Sequence, residues 1–209
     1  MRTLLSLSCL AAALTLTTLA RAAEEEGFKP LFDGKTLNGW VGDPRFWSVE
    51  DGAIAGWTTE KNPAPHNTFL ATTKSYKNFI LKAEFKLRNH NSGIQVRSKL
   101  LPEFVVHGYQ PDIADDHYTG NLYEEGGRGT LVQANEEEVK KIFKSGRWVE
   151  YSITCDGPQL TLALNGHVTV RYTEKDPKRG ATEGTIALQL HAGPPMKVWF
   201  RNIRIKELP

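Results

Sequence analysis

The sequence has few of the residues that build disulfides, redox pairs or cysteine-ligated metal sites. Its 209 residues include only two cysteines, Cys9 and Cys155. Cys9 falls in an N-terminal segment that we expect to be removed, so no intramolecular disulfide can form in the mature chain. Cys155 lies in the run YSITC, where a buried strand thiol is a simpler interpretation than a nucleophile. We therefore expect stability to come from core packing.

A strong net charge is also lacking. Lys and Arg number 26, and Asp and Glu number 24. Removal of residues 1–22 deletes two of the 26 basic residues, Arg2 and Arg21, and no acidic residue, which leaves 24 of each sign. A neutral chain gives no electrostatic reason to bind nucleic acid or an anionic membrane, and we predict neither partner.

The one long apolar run, residues 4–19, begins after a basic N-terminus and ends before the small residues Ala20 and Ala22. This run is too short and too rich in hydroxyl groups for a good membrane span. Small residues at the −3 and −1 positions are typical of a signal-peptidase site. We predict a signal peptide that is cleaved after Ala22, and hence a secreted or periplasmic protein.

The remaining chain has the length of one domain with a sizeable core. We assign residues 1–22 to the signal peptide, 23–27 to a linker and 28–209 to a single domain. Several catalytic motifs are missing from it, namely a phosphate-binding glycine loop, a zinc-protease helix and a Gly-x-Ser-x-Gly elbow. It also lacks the acid–x–acid strand pair of retaining β-sandwich glycosidases, so a conventional glycosidase is disfavoured.

Alternating apolar and polar residues dominate the chain. Residues 79–87 place Phe, Leu and Ala on one strand face and Lys and Glu on the other, which is typical of a half-buried strand. Asp51-Gly52 and Asn165-Gly166 each separate two such runs, and both dipeptides favour the tight turn of a β-hairpin.

One short helix is predicted, with Asn135 as its N-cap and Glu138 three residues later. Its apolar side is narrow, so we expect it to pack at the periphery. Many short strands, one helix and no alternation of helices with strands predict an all-β fold, an antiparallel β-sandwich.

Residues 91–131 crowd ionisable, amide and Tyr side chains between short strands, which favours a concave site over an ordinary loop region. Strand alternation puts Gln110 and Asp112 on one face. Arg97 shares a face with Gln95, and it could bind a substrate oxygen or form a purely structural pair with Asp112.

A second strand, ALQLHAGPPM, places His191 on the same face as Gln189 and ends in a sharp turn. The imidazole is therefore expected at a rim, in either a functional or a structural role. Four aromatic residues could stack on sugar faces, although any one of them could instead belong to the core. They are Trp57, Tyr109, Tyr118 and Tyr123.

Several motifs in order resemble one family. They are LFDGKTLNGW, N-S-G-I-Q-x-R, G-Y-Q-x-D-I, G-N-L-Y-E-E-G-G-R-G and I-A-L-Q-L-H-A-G-P-P-M. Together they resemble the 3-keto-disaccharide hydrolases, also described as 3-keto-glucoside 1,2-lyase/3-keto-2-hydroxy-glucal hydratase domains. The resemblance implies a concanavalin A-like jelly-roll β-sandwich that acts outside the cytoplasm.

The resemblance also implies a substrate, a glycoside whose C3 hydroxyl has been oxidised to a ketone, and a sugar 3-dehydrogenase upstream that makes it. The ketone acidifies the C2 hydrogen, so a base can remove it, the C1 substituent can leave and water can then add. The alternative is a non-catalytic carbohydrate-binding module on the same sandwich.

For the enzyme, the matched positions offer His191 or Asp112 as base and Glu125 as acid or water-activating group. Arg97 and Arg128 are the candidate stabilisers of negative charge. Six residues are expected to position the sugar: Asn91, Gln110, Tyr123, Tyr109, Trp57 and Gln189. No cofactor is predicted. A divalent cation would suit the enolate chemistry, with ligands from His107, Asp112, Glu125 and His191, but no ligand spacing requires one.

Overall fold

The computed structural model describes residues 25–115 and 117–209. The predicted signal peptide over residues 1–22 lies outside the described residues. The described part contains fifteen strands, one α-helix and one short 3₁₀ turn over Pro102–Phe104. In chain order the elements are β1 (Lys29–Pro30), β2 (Trp40–Val41), β3 (Trp47–Glu50), β4 (Ala53–Trp57), β5 (Thr68–Tyr76), β6 (Phe79–Arg88), β7 (Asn91–Leu100), β8 (Val106–Ala114), β9 (Leu122–Glu125), β10 (Gly129–Val132), α1 (Glu136–Ile142), β11 (Val149–Asp156), β12 (Gln159–Leu164), β13 (His167–Thr173), β14 (Gly184–Leu190) and β15 (Lys197–Glu207).

The strands form two antiparallel sheets, which confirms the predicted β-sandwich. We call them the back sheet and the front sheet. The back sheet has the order β13-β12-β11-β6-β15-β4-β3, and β1 pairs with β15. The front sheet has the order β10-β9-β8-β7-β14-β5-β2. Strands that are neighbours in space are often distant in sequence, so the front sheet brings β14 between β5 and β7.

The core lies between the two sheets. In β6 the residues alternate strictly between buried and partly buried, as the sequence pattern predicts, and Phe79, Leu81 and Phe85 are fully enclosed. Cys155 is a free thiol on β11 and is buried in this core, as expected. Burial raises the pKa of the Cys155 thiol to about 12.

Local turn and cap predictions are confirmed. Asp51 has φ 47° and Gly52 has φ 76° at the β3–β4 hairpin, and the Asn165-Gly166 turn joins β12 to β13 in the same left-handed conformation. Asn135 caps α1, and its side-chain oxygen accepts a hydrogen bond from the backbone N–H of Glu138 at 3.1 Å. No helix among the described residues combines the length and the apolar character that a bilayer-spanning segment needs.

Candidate active site

A polar cavity of about 260 Å³ opens on the front sheet. Alternation along the strands decides which residues reach it. On β7 and β8, Ile94 and Tyr109 point into the core, whereas Gln110 and Asp112 belong to the opposite face. The cavity, which we call the polar cavity, is lined by Asn67, Asn91, Gln110, Asp112, Tyr118, Tyr123, Glu125, Thr130, Gln189 and His191.

Asp112 lies at the end of a buried chain of side-chain hydrogen bonds. Ser98 Oγ donates to Gln95 Oε1 at 2.7 Å, Gln95 Nε2 donates to Gln110 Oε1 at 2.8 Å, and Gln110 Nε2 donates to Asp112 Oδ1 at 2.9 Å. A side-chain amide can be placed with its oxygen and nitrogen in either of two positions. In Gln95 and Gln110 the hydrogen bonds to the neighbouring residues determine which position is occupied. The chain ends at a carboxylate, the group best suited to accept its last hydrogen bond.

Gly93 makes room for this chain. It pairs with Asp112 across β7 and β8, and a Cβ at this position would lie 2.6 Å from the Cγ and Cδ atoms of Gln110. The side chain of Gln110 therefore lies directly over the bare backbone of Gly93. This close approach explains why a glycine stands in the middle of an otherwise side-chain-rich strand.

Glu125 enters the cavity from the end of β9 and is held by two amides. Asn67 Nδ2 approaches Glu125 Oε1 at 3.3 Å, and Gln189 Nε2 approaches Oε2 at 3.2 Å. Asn67 is itself fixed, because its Oδ1 accepts from the backbone N–H of Ala192 at 3.0 Å. Sequence reasoning missed Asn67, which ends a proline-containing loop and carries no periodic signal.

His191 has a defined tautomer. Its Nδ1 is hydrogen-bonded to the backbone carbonyl of Ala192. A carbonyl oxygen can only accept, so Nδ1 carries the proton and the neutral ring keeps a lone pair on Nε2. The His90 ring packs edge-on against His191 with ring centroids 4.7 Å apart, and His90 Nε2 lies 3.1 Å from the same carbonyl. His191 is thus both half-buried and oriented.

Tyr123 serves the cavity as a neutral phenol. Burial raises the pKa of Tyr123, and the negative charges of Glu125 and Asp112 raise it further. A phenol beside two carboxylates keeps its proton at neutral pH and can donate a hydrogen bond.

Two amide oxygens at the cavity have no partner among the described residues. Asn91 Oδ1 and Gln189 Oε1 are both buried, and neither accepts a hydrogen bond. A buried acceptor without a partner costs free energy, about 1–3 kcal/mol each. Both residues line the polar cavity, so a ligand with hydroxyl groups could supply the missing donors.

The structure does not bring Arg97 to this cavity, which corrects the expectation that it faces Asp112. A register shift between Val96 and Lys99 interrupts the alternation of β7, and Arg97 adopts a φ of 47°. Its guanidinium donates to Lys77 O, Gly157 O and Asn78 Oδ1. With only 2 % of its surface exposed, Arg97 connects the front sheet to turns of the back sheet.

Arg128 is also directed elsewhere. It forms ion pairs with Glu124 and Glu174, each with an N–O distance of 2.6 Å. Tyr109 faces the core and donates from its hydroxyl to Glu174 at 2.8 Å, and it does not line the polar cavity. Trp57 lies on β4 of the back sheet, away from the cavity on the front sheet.

Seven of the eleven predicted site residues therefore line one cavity, and four do not. Those that line it are Asn91, Gln110, Asp112, Tyr123, Glu125, Gln189 and His191. Tyr118, which sequence analysis considered for stacking, lines it as well. Among the described residues no Lys or Arg side chain reaches the cavity. Nor do they contain a group of three or more His, Cys, Asp or Glu that could hold a metal ion.

Comparisons with known proteins agree with the resemblance seen in the motifs. The chain is 32% identical over 245 residues to a 3-keto-disaccharide hydrolase from Bacteroides thetaiotaomicron, with 92% of this chain and 82% of the relative covered. A structure from Parabacteroides distasonis, provisionally described as a glycosyl hydrolase, has a TM-score of 0.65 and 26% identity over 87% of this chain and 99% of that one.

A family 66 carbohydrate binding module from Bacillus subtilis shares the fold at a TM-score of 0.63 and 12% identity, with 81% of this chain and 96% of that chain covered. At this identity the likeness concerns the fold alone. Residues 27–206 match the profile of one domain family, and the chain therefore belongs to the 3-keto-alpha-glucoside-1,2-lyase-like domain family.

Proposed function

We propose that the protein cleaves 3-keto-glycosides, 3-keto-disaccharides among them, by 1,2-elimination followed by hydration. Family membership supports a carbohydrate-active enzyme. The observation that carries the elimination chemistry is the presence in one cavity of an imidazole with a free Nε2 lone pair and of two carboxylates. Sugar binding alone requires no proton transfer, whereas elimination requires both a base and an acid.

His191 is the proposed base. Its Nε2 removes the C2 proton, and the electron pair of the C2–H bond forms an enolate with the C3 ketone. The imidazolium that results lies in the same cavity as the carboxyl group of Asp112. The second expected base, Asp112, is engaged by Gln110 and serves better to accept a hydrogen bond from a sugar hydroxyl.

Glu125, in its protonated form, is the proposed proton donor to the leaving group. As the enolate collapses, the C3 ketone reforms, a C1–C2 double bond appears and the C1–O bond breaks with transfer of a proton from Glu125 to the departing oxygen. In hydration Glu125 then takes a proton from water, the hydroxide adds to C1, and His191 returns its proton to C2. The net reaction cleaves one glycosidic bond and consumes one water molecule.

The sequence-based hypothesis assigned stabilisation of negative charge to Arg97 and Arg128. In this proposal neutral hydrogen-bond donors stabilise that charge. Tyr123 keeps its proton, because burial raises its pKa, and it can donate a hydrogen bond to the developing enolate oxygen. The unpartnered oxygens of Asn91 and Gln189 are suited to accept hydrogen bonds from sugar hydroxyls and hold the ring in place. Together these groups supply the donors and acceptors that a 3-keto-hexose ring requires.

A comparison of oxidised and unoxidised substrates tests the proposal. The purified protein is incubated with a 3-keto-glucoside and with the matching unoxidised glucoside, and release of the leaving group is followed. We expect release from the 3-keto compound alone, because only its C2 hydrogen is acidic. Equal release from both would indicate a conventional glycosidase, and measurable binding of the 3-keto compound without release would indicate a non-catalytic module.

The cellular setting follows from the same proposal. A substrate with a C3 ketone requires an upstream enzyme that oxidises the sugar at C3. We further propose that the protein is exported and cleaved after Ala22, which mass measurement of the mature chain from its native host tests directly. A mature mass that includes residues 1–22 would contradict export by this route.

A further inference from the structure

Ala192, the residue that follows the proposed base, is held at both ends of its backbone. Its N–H donates to Asn67 Oδ1 at 3.0 Å. Its carbonyl oxygen is hydrogen-bonded to Nδ1 of His191 and, at 3.1 Å, to Nε2 of His90. A carbonyl oxygen has two lone pairs and can only accept, so both imidazole nitrogens carry a proton. Two histidines therefore share one backbone acceptor.

His90 reaches this acceptor from an uncommon backbone conformation. It lies in the β6–β7 turn with a φ of 68°, in the left-handed region that residues with a Cβ rarely adopt. Asp115 holds it there from two sides. The Asp115 side chain accepts from the backbone N–H of His90 at 2.9 Å, and the Asp115 N–H donates to the His90 carbonyl at 3.1 Å. A strained conformation persists only where its surroundings determine it, and such residues are concentrated at functional sites.

A glycine lets the two turns meet. Gly193 follows Ala192 with a φ of +131°, and a Cβ at this position would lie 2.8 Å from Nε2 of His90. The His90 ring therefore lies directly against the bare backbone of the turn after β14. A side chain at position 193 would displace the nitrogen that reaches the Ala192 carbonyl, a contact between residues 102 positions apart in the sequence.

The shared carbonyl matters because it determines which nitrogen of His191 is basic. A neutral imidazole carries one proton, and the hydrogen bond to Ala192 keeps that proton on Nδ1. If the carbonyl turned away, the proton could occupy Nε2 instead. A ring with its proton on Nε2 has no lone pair there and cannot remove the C2 proton from that position. The orientation of one carbonyl therefore sets the fraction of His191 that is competent as a base.

We propose that His90 is a positioning residue for the base. By donating from Nε2 to the Ala192 carbonyl, His90 holds in place the acceptor that keeps His191 protonated on Nδ1. The proposal rests on the proposed function, because it gives Nε2 of His191 the task of removing the C2 proton. His90 is not among the residues that line the polar cavity, and it acts through Ala192 without contacting the substrate.

The test compares two variants that differ in one hydrogen-bond donor. His90→Phe keeps a ring against His191 but has no donor, whereas His90→Gln has an amide Nε2 that can donate to the Ala192 carbonyl. Deuterium exchange at C2 of a 3-keto-glucoside gives kcat and KM. The ¹⁵N resonances of His191, assigned by their loss in His191→Ala, show which ring nitrogen carries the proton.

For His90→Phe we expect kcat for C2 exchange to fall about tenfold, equivalent to about 1.4 kcal/mol, with KM unchanged. We expect the same variant to show His191 partly protonated on Nε2 in the neutral ring. For His90→Gln we expect exchange within about twofold of the unaltered protein and His191 protonated on Nδ1, because one donor replaces another.

The control is His167→Phe, the same change at an exposed histidine on β13 of the back sheet, and it should alter neither measurement. His191 protonated wholly on Nδ1 in His90→Phe would overturn the proposal. Equal losses in His90→Phe and His90→Gln would overturn it too, because the donor would then not matter. Absence of C2 exchange by the unaltered protein would instead contradict the proposed function. The ¹⁵N comparison needs no substrate, so it would still decide the role of His90.

Discussion

Gln110 donates a hydrogen bond from Nε2 to Oδ1 of Asp112 at 2.9 Å, two residues further along the same strand. The amide has no freedom to turn over, because its oxygen already accepts from Gln95 Nε2 at 2.8 Å. Residues that never contact a sugar therefore determine which group faces Asp112. A carboxylate at a site of this kind is positioned by buried amides behind it.

Replacement of Gln95 by Leu tests this dependence. The change removes the donor to Gln110 and leaves Ser98 without its acceptor, both in a fully buried setting. We expect the free energy of unfolding to fall by about 1–3 kcal/mol, the cost of buried groups left unpaired. Urea unfolding measures the loss, and the exposed residue Gln133→Leu is the control. Unfolding free energies that agree for the two variants would contradict the account.

Arg128 is predicted to stabilise the fold without acting in catalysis. It bridges Glu124 and Glu174, and loss of the guanidinium leaves two partly buried carboxylates unpaired. For Arg128→Gln we expect a loss of about 2 kcal/mol, below the ~3–5 kcal/mol of a fully buried pair, because 22% of the Arg128 side chain is exposed. Arg171→Gln, at an exposed position, should have little effect on unfolding. If kcat of Arg128→Gln fell while its unfolding free energy stayed unchanged, the assignment would be wrong.

The same ion pairs predict a dependence of stability on pH. Hydrogen bonds from Arg128 hold the pKa of Glu174 and of Glu124 below the ordinary value, while burial acts in the opposite direction. Because both values are lowered in the folded state, the unfolded chain binds more protons as the pH falls below about 5. The stabilisation is therefore fully present at neutral pH and is lost progressively in acid.

Unfolding free energies of the unaltered protein and of Arg128→Gln, measured from pH 7 to pH 3, check the sign. We expect the difference between the two proteins to shrink as the pH falls, because protonation removes the charges that Arg128 neutralises. A difference that stays constant over this range, or widens in acid, would refute the stated cause.

Cys155 is predicted to be chemically inert in the folded protein. Burial in the core raises the pKa of its thiol to about 12, so very little thiolate is present at pH 8. In a protein that begins at Ala23, Cys155 is the only cysteine. We expect a thiol reagent to leave the native protein unlabelled and to label it fully in urea. Rapid labelling of the native protein would show that β11 opens readily.

Individual residues show how much of the fold and of the candidate site can be predicted from the sequence alone. Strand alternation predicts correctly that Gln110 and Asp112 share a face, because β8 is regular there. The same argument fails for Arg97, because a register shift between Val96 and Lys99 interrupts the alternation of side chains along β7. This irregularity has no clear signal in the sequence. Local rules for turns and the helix cap succeed at Asn165 and Asn135 because they depend only on neighbouring residues.

Long-range contacts account for the remaining differences. The family motif that contains Arg128 cannot reveal that its partner, Glu174, stands 46 residues later at the end of β13. Trp57 has the chemistry of a sugar-stacking residue, but strand pairing assigns it to the back sheet. Asn67 reaches Glu125 across 58 residues of sequence, and its place at the site becomes visible only once the sheet is assembled.

The role of His191 as the base that removes the C2 proton is the central claim, and solvent deuterium exchange measures it most directly. A 3-keto-glucoside is incubated in deuterated water with the unaltered protein, with His191→Ala and with Glu125→Gln, and NMR follows deuterium at C2 and release of the leaving group. For His191→Ala we expect the rate of deuterium exchange at C2 and the rate of leaving-group release each to fall by about 10²–10⁴-fold. Glu125→Gln should still exchange C2 in the intact substrate while release is slow. Exchange by His191→Ala at the rate of the unaltered protein would contradict the account.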